Sequence, residues 1–272
     1  MTDVEIYKKM EKHWDRALEL YPRDRIVGLW LQGSQNYHME YEDSDVDTKL
    51  LIVPSFEDIV LNRKPVSTTH ILDNGEHMDA KDIRLYWQTL KKGNINFVEL
   101  LFARVAIINP KYAEAWSKVD EIAEDIAYMD PLTAAKAMMG MVNEKYFAMT
   151  HRYPSRVEWI DRFGGYDPKQ LHHLARITIF LEGYAYGGYK YTDLLDMENK
   201  RELKQFITEI KWKGHGTLEE AQAYADEMKA RAEAVYSRMK ERVSAGRNPA
   251  IDALMDEYMA EIVKIGIKEE LM

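Results

Sequence analysis

An α+β fold, with a small mixed sheet first and a helical region after it, is what this 272-residue chain predicts. Three observations carry that reading. Two apolar runs, residues 26–32 and 49–53, bracket a Gly33-Ser34 turn and an acidic loop. Residues 68–72 and 76–80 flank Asp73-Asn74-Gly75, a strong hairpin signal. After Asn109-Pro110 almost every segment reads as helix. That order suits a mixed sheet covered on one face. It places a sheet domain over residues 1–108 and a helical domain over 109–272.

Residues 3–20 read as a helix, with Ile6, Met10, Trp14 and Ala17 at helical spacing, stopped by Tyr21-Pro22. Ser55 caps a short helix, with Asp58 three residues on. Residues 82–92 form a further helix that ends at Gly93. The apolar run 97–102 fits either a strand or a buried helical turn. The helical region breaks at Asp130-Pro131, Tyr153-Pro154, Gly164-Gly165, Gly187-Gly188, Gly214 and Asn248-Pro249. Thr217 and Glu220 form a capping box before a long charged helix.

A net charge of −9 argues against broad capture of duplex DNA, which needs a basic face. No cysteine is present, so disulfide and thiolate chemistry are excluded. The start, MTDVEIYKKMEKHW, is charged and amphipathic, unlike a signal peptide. No apolar run approaches a membrane span, and a cytoplasmic location without membrane partners is expected.

The chemistry concentrates in LWLQGSQNYHMEYEDSDVDTKLLIV, residues 29–53. Asp45 and Asp47 lie two apart at the start of the second apolar run, so strand geometry turns both carboxylates to one face. Two carboxylates beside a Gly-Ser turn can hold a divalent cation and a phosphate together, as magnesium sites do. A solvated acidic loop is the plain alternative. A calcium loop through Asp43, Asp45 and Asp47 fails, because Thr48 stands where Gly is needed and Pro54 where Glu is needed. Gly33 allows close backbone approach to phosphate, and the Ser34 hydroxyl adds a donor. Lys49, Lys81 and Arg84 can neutralise phosphate or simply balance the carboxylates. In the helical region, KQLHHLAR sets Lys169, His173 and Arg176 on one helical face. The tyrosines of residues 184–191 can stack on a base or pack on the core.

GSQNY followed by SDVDTK resembles the signature of the DNA polymerase beta-type nucleotidyltransferase superfamily, in which Gly-Ser precedes a loop and an Asp-x-Asp pair. Gln32 and Thr48 stand where that pattern prefers apolar residues. Small stand-alone bacterial and phage nucleotidyltransferases are more similar still, at GSQNY, SDVDTK, MDAKDIR and GNINFVELLF. The resemblance covers residues 25–105 well and the rest weakly. It implies a sheet-based catalytic domain, a nucleoside triphosphate donor with ATP as the default, and two Mg2+ ions, with Mn2+ as a substitute. It also implies a third metal carboxylate on a neighbouring strand. Asp79, within Met78-Asp79-Ala80, fits that role. Asp82 reads better as the N-cap of the next helix, and Glu99 is a further rival. On this reading replacement of Asp79 removes chemistry with little change in melting temperature.

By the same resemblance, Lys169, His173 and Arg176 form a helix facing the cleft and touching nucleotide phosphate. The acceptor is left open among a small molecule, an RNA end and a protein. A partner-modifying adenylyltransferase and a nucleotide-binding module without turnover are the alternative functions.

Overall fold

The computed structural model describes residues 1–40, 44–244 and 246–271. Asp43 lies outside them. In chain order the elements begin with α1 (Asp3–Leu20), β1 (Ile26–Gln32), β2 (Asp47–Ile52), α2 (Phe56–Val60), β3 (Ser67–Ile71) and β4 (His77–Asp82). Next come α3 (Ile83–Leu90), α4 (Ile95–Val98), β5 (Ala106–Ile108), α5 (Ala113–Glu121) and α6 (Ala123–Ala127). The helical stretch holds α7 (Pro131–Ala148), α8 (Val157–Arg162), α9 (Pro168–Tyr186), α10 (Tyr191–Leu195), α11 (Arg201–Lys213) and α12 (Leu218–Arg242). The last is α13 (Pro249–Ile267). The ambiguous run 97–102 is helical: α4 continues into a 3-10 turn, Glu99–Phe102.

The strands make one five-stranded mixed sheet in the order β3-β4-β2-β1-β5. The β2–β4 pair is parallel and the other pairs are antiparallel. One face packs on α1 through Ile6, Met10 and Ala17 against Leu29, Leu31, Leu50 and Ile52. His13, and not Trp14, completes the fully buried stripe of α1.

The opposite face is covered too, which corrects the expectation of one-sided cover. Trp30 meets Trp116 of α5 at 4.5 Å between ring centroids, and Tyr86 of α3 lies 6.3 Å from the same indole. The reason is legible in IVGLWLQ. It is apolar at both parities, and a strand buried on both faces reads as a continuous apolar run rather than an alternating one.

The chain forms two compact units, Met1–Met129 with Arg247–Met272, and Asp130–Gly246. The division expected after residue 108 therefore falls inside the first unit. Two features account for this. Trp116 is needed to cover Trp30, and α13 returns to the sheet unit. There Lys91 pairs with Asp252 and Asp256 at 2.9 and 2.6 Å, and Lys118 pairs with Glu261 at 2.7 Å. Asn248 N donates to Met129 O at 2.8 Å, so the two points where the chain crosses between units lie side by side in the first unit.

Gly266 marks where α13 presses on the sheet unit. A methyl group there would lie 2.4 Å from Val53 Cγ2 and 3.1 Å from the Tyr112 hydroxyl. Gly266→Ala gains up to about 1 kcal/mol of helix propensity, but overpacking costs about 1–3 kcal/mol. A net loss of stability is expected, measured as a lower urea midpoint. A midpoint at or above wild type would show that this contact yields.

The second unit is helical among its described residues. α7, α11 and α12 pack around α9, and Thr217 and Glu220 form the expected capping box on α12. No described helix is long and apolar enough to cross a membrane.

Candidate active site

The site is built at one end of the β1–β2–β4 strands. β1 ends at Gln32, and Gly33 turns the chain with φ +80°, a conformation that side chains disfavour. Ser34–Tyr37 then forms a 3-10 turn. Arg104 anchors that turn from below. Its Nη1 donates to Gln35 O at 2.6 Å and its backbone N donates to Asn36 Oδ1 at 2.9 Å. The Tyr37 hydroxyl donates to Glu99, which is buried. Glu99 is thereby engaged in holding the turn. Gln35 Nε2 donates to Ser44 O at 3.2 Å, tying the turn to the start of the acidic segment.

Asp45 is exposed, Val46 fully buried and Asp47 half-buried, which is the alternation expected as the chain enters β2. Asp47 Oδ1 accepts from His77 N at 3.1 Å. A methyl group added to Gly33 would lie 3.8 Å from Asp47 Oδ2, so the glycine turn and this carboxylate are immediate neighbours. Gln32 pairs with Asp47, and Lys49 pairs with Asp79 across the parallel β2–β4 ladder. Asp47, Lys49, Asp79 and Lys81 therefore share one face of the sheet.

Asp79 is engaged on both oxygens, which bears against the expectation that its replacement costs little stability. Lys49 Nζ lies 3.1 Å from Asp79 Oδ2 and Lys81 Nζ 2.9 Å from Oδ1, while Thr69 Oγ1 donates to Oδ1 at 3.2 Å. Burial would raise its pKa, but Lys49 and Lys81 outweigh that and hold it below the usual carboxylate range. Lys49 is 4 % exposed, with its ammonium 4.4 Å above the Phe97 ring. Desolvation lowers its pKa in spite of Asp79. In this arrangement both lysines balance Asp79. Asp82 caps α3 through Arg84 N at 2.8 Å and takes a two-pronged bond from the Arg84 guanidinium, so Arg84 is committed there.

Lys169, His173 and Arg176 lie in the second unit, along α9. Lys169 is exposed, and the other two are half-buried. His173 is held well below its ordinary pKa, first by desolvation and then by its neighbours His172, Arg176 and Lys169. His172 turns to α11, where its Nδ1 bonds Ile207 O at 2.8 Å. Tyr184 and Tyr191 pack on Phe180, which answers the choice between base stacking and core packing for those two. Tyr186 and Tyr189 remain exposed beside a cavity of about 350 Å3 that Arg176 also lines.

Sequence reasoning passed over Glu76. Its buried carboxylate accepts from Val46 N at 3.1 Å, Lys9 Nζ at 3.2 Å and Asn74 Nδ2 at 2.7 Å, and lies 3.1 Å from His13 Nε2. Burial pushes its pKa up, but the His13, Asn74, Val46 and Lys9 hydrogen bonds prevail and bring it to about 2. The available signal was His13 itself: a polar side chain in the apolar stripe of α1 demands a buried partner.

No family model matches the chain, and no curated protein matches it. Among solved structures, it is similar to a nucleotidyltransferase-like protein from Exiguobacterium sibiricum 255-15. The identity is 10 %, over 89 % of this chain and 74 % of that one, with a TM-score of 0.31. A likeness of that size identifies neither a substrate nor a catalytic residue.

Proposed function

We propose that the chain is a magnesium-dependent nucleotidyltransferase, moving a nucleoside monophosphate from a triphosphate, by default ATP, to an acceptor hydroxyl. The supporting observation is the sheet register that sets Asp47 and Asp79 on one face, with the Gly33-Ser34 turn against Asp47. The donor set suits a hard cation. Asp45 and Asp47 offer only oxygen, and Asp47 Oδ2 accepts no hydrogen bond among the described residues. Asp79 fits as a third ligand once Lys49 and Lys81 turn from it to substrate phosphate. Two magnesium ions, when bound, supply charge neutralisation at the attacking and leaving oxygens.

The chain's own groups do the positioning. The Gly33 backbone and the Ser34 hydroxyl bind the triphosphate tail. Lys49 and Lys81 lie on the strand face where they can balance its charge. Asp79 would help activate the acceptor, its carboxylate taking up the hydroxyl proton. The acceptor oxygen then bonds to the α-phosphorus as the bond to pyrophosphate breaks.

The test is incubation with each labelled triphosphate, magnesium and cell extract divided into protein, RNA and small-molecule fractions. Label in one fraction names the acceptor class, with protein marking a partner-modifying adenylyltransferase. Tight triphosphate binding with no label in any fraction would make the chain a nucleotide-binding module and overturn the proposal. Ser34→Ala is expected to weaken triphosphate more than monophosphate binding, by at most the ~1.5–3 kcal/mol of a hydrogen bond to a charged group. Calorimetric titration checks it, and equal losses would place Ser34 away from the tail.

A further inference from the structure

The carboxylates of the site are carried by Asp45 and Asp47, and the residues that alternate with them point the other way. Val46 and Thr48 are both fully buried. Each is tied to one network behind the sheet: Val46 N donates to Glu76 Oε1 at 3.1 Å, and Thr48 Oγ1 lies 2.9 Å from His13 Nδ1. The network closes on itself, because His13 Nε2 lies 3.1 Å from Glu76 Oε2. Asn74 holds Glu76 from the hairpin turn at both its carboxylate and its backbone N, and Lys9 reaches in from α1. The next residue after Glu76, His77, donates its backbone N to Asp47. Asp79 follows on the same strand. One buried carboxylate thus joins α1, the start of β2 and the start of β4.

We infer that His13 and Glu76 are positioning residues for the metal-binding carboxylates, holding the 45–48 segment from behind and fixing its offset from Asp79. The inference rests on the proposed metal role of Asp45 and Asp47. Groups that hold metal ligands in place, without touching the metal, are worth about 10–100-fold in metal affinity. A network that only stabilised the fold would instead lower the melting temperature and leave the affinity alone.

The experiment titrates Mn2+ alone into the full chain, following free Mn2+ by electron paramagnetic resonance well below the melting point. Glu76→Gln keeps the shape but presents an amide to four donors, so at least one donor loses its acceptor. It is expected to weaken Mn2+ binding about tenfold or more. Asp58→Ala breaks the α2 capping box and the Arg25 pair, well outside the site. It lowers the melting temperature and is expected to leave Mn2+ affinity at the wild-type value. Asn74→Ala keeps the Glu76 carboxylate, removes one hydrogen bond to it, and carries the test if Glu76→Gln does not fold; a severalfold loss is expected.

Asp47→Asn separates this inference from the reading beneath it. Lost Mn2+ binding in Asp47→Asn beside wild-type binding in the folded Glu76→Gln or Asn74→Ala protein overturns the positioning role alone. Wild-type binding in Asp47→Asn as well overturns the metal reading and the positioning role together.

Discussion

Asp47→Asn and Asp45→Asn are each expected to abolish the proposed magnesium-dependent transfer while the melting temperature stays at its wild-type value. Asparagine preserves size and, at position 47, an oxygen to accept from His77 N. What it removes is charge. A metal ion contributes several kcal/mol of charge stabilisation to the transition state, so losing its anchor costs about a thousandfold in rate at ~4 kcal/mol. Stability is spared for a separate reason. Asp45 is exposed, and Asp47 is 35 % exposed and pairs with a half-exposed His77, where ion pairs contribute about 0–1 kcal/mol. The measurements are initial rates at saturating magnesium and a thermal melt. Equal magnesium-dependent rates in wild type and both variants would sink the assignment.

The pair Asp79 and Asp82 gives the second large effect, and the two residues differ in kind. Asp82→Ala is expected to keep most of the proposed activity and to lose about 0.5–2 kcal/mol of stability, because its carboxylate caps α3 and holds Arg84. Asp79→Ala is expected to lose the proposed activity and stability together. It strands Lys49, 4 % exposed, without its counter-charge. The cost falls between the ~1 kcal/mol of an exposed pair and the ~3 kcal/mol of a buried one. Asp79→Asn separates the two losses, since its single amide oxygen, placed where Oδ2 lies, still accepts from Lys49. It should melt closer to wild type than Asp79→Ala and remain inactive. An active Asp79→Asn protein beside an inactive, stable Asp82→Ala protein would move the third carboxylate three residues along the chain.

Local chemistry was the legible part. α1, β1, the Ser55 and Thr217 capping boxes and the Asp82 cap were all readable, because each depends on residues within one or two turns of itself. So were the Gly-Ser turn and the alternating aspartates. What failed to show depends on pairing at a distance. The Lys49–Asp79 ion pair exists only because β2 and β4 run parallel in a particular register, and no local period encodes that. The three-residue β5 is too short for any periodic signal. Trp14 was read into the stripe of α1 that His13 occupies, because an indole looks more apolar than an imidazole until Glu76 is placed beside it. The break at Asn109-Pro110 is a true end of strand, but the core continues past it through Trp116.

The return of α13 to the sheet unit sets the order in which a nascent chain can fold. Domains emerging from a ribosome ordinarily fold from the N-terminus at about 5–20 residues per second of synthesis. Here the unit that begins first cannot finish first. Val53 and Tyr112 wait for Gly266, and all of Asp130–Gly246 is translated in between. That stretch is continuous in sequence, so it has its own partners to hand while the sheet unit still lacks its last helix. The sheet unit is therefore completed only after that stretch has been made, a delay of roughly six to twenty-three seconds at those rates.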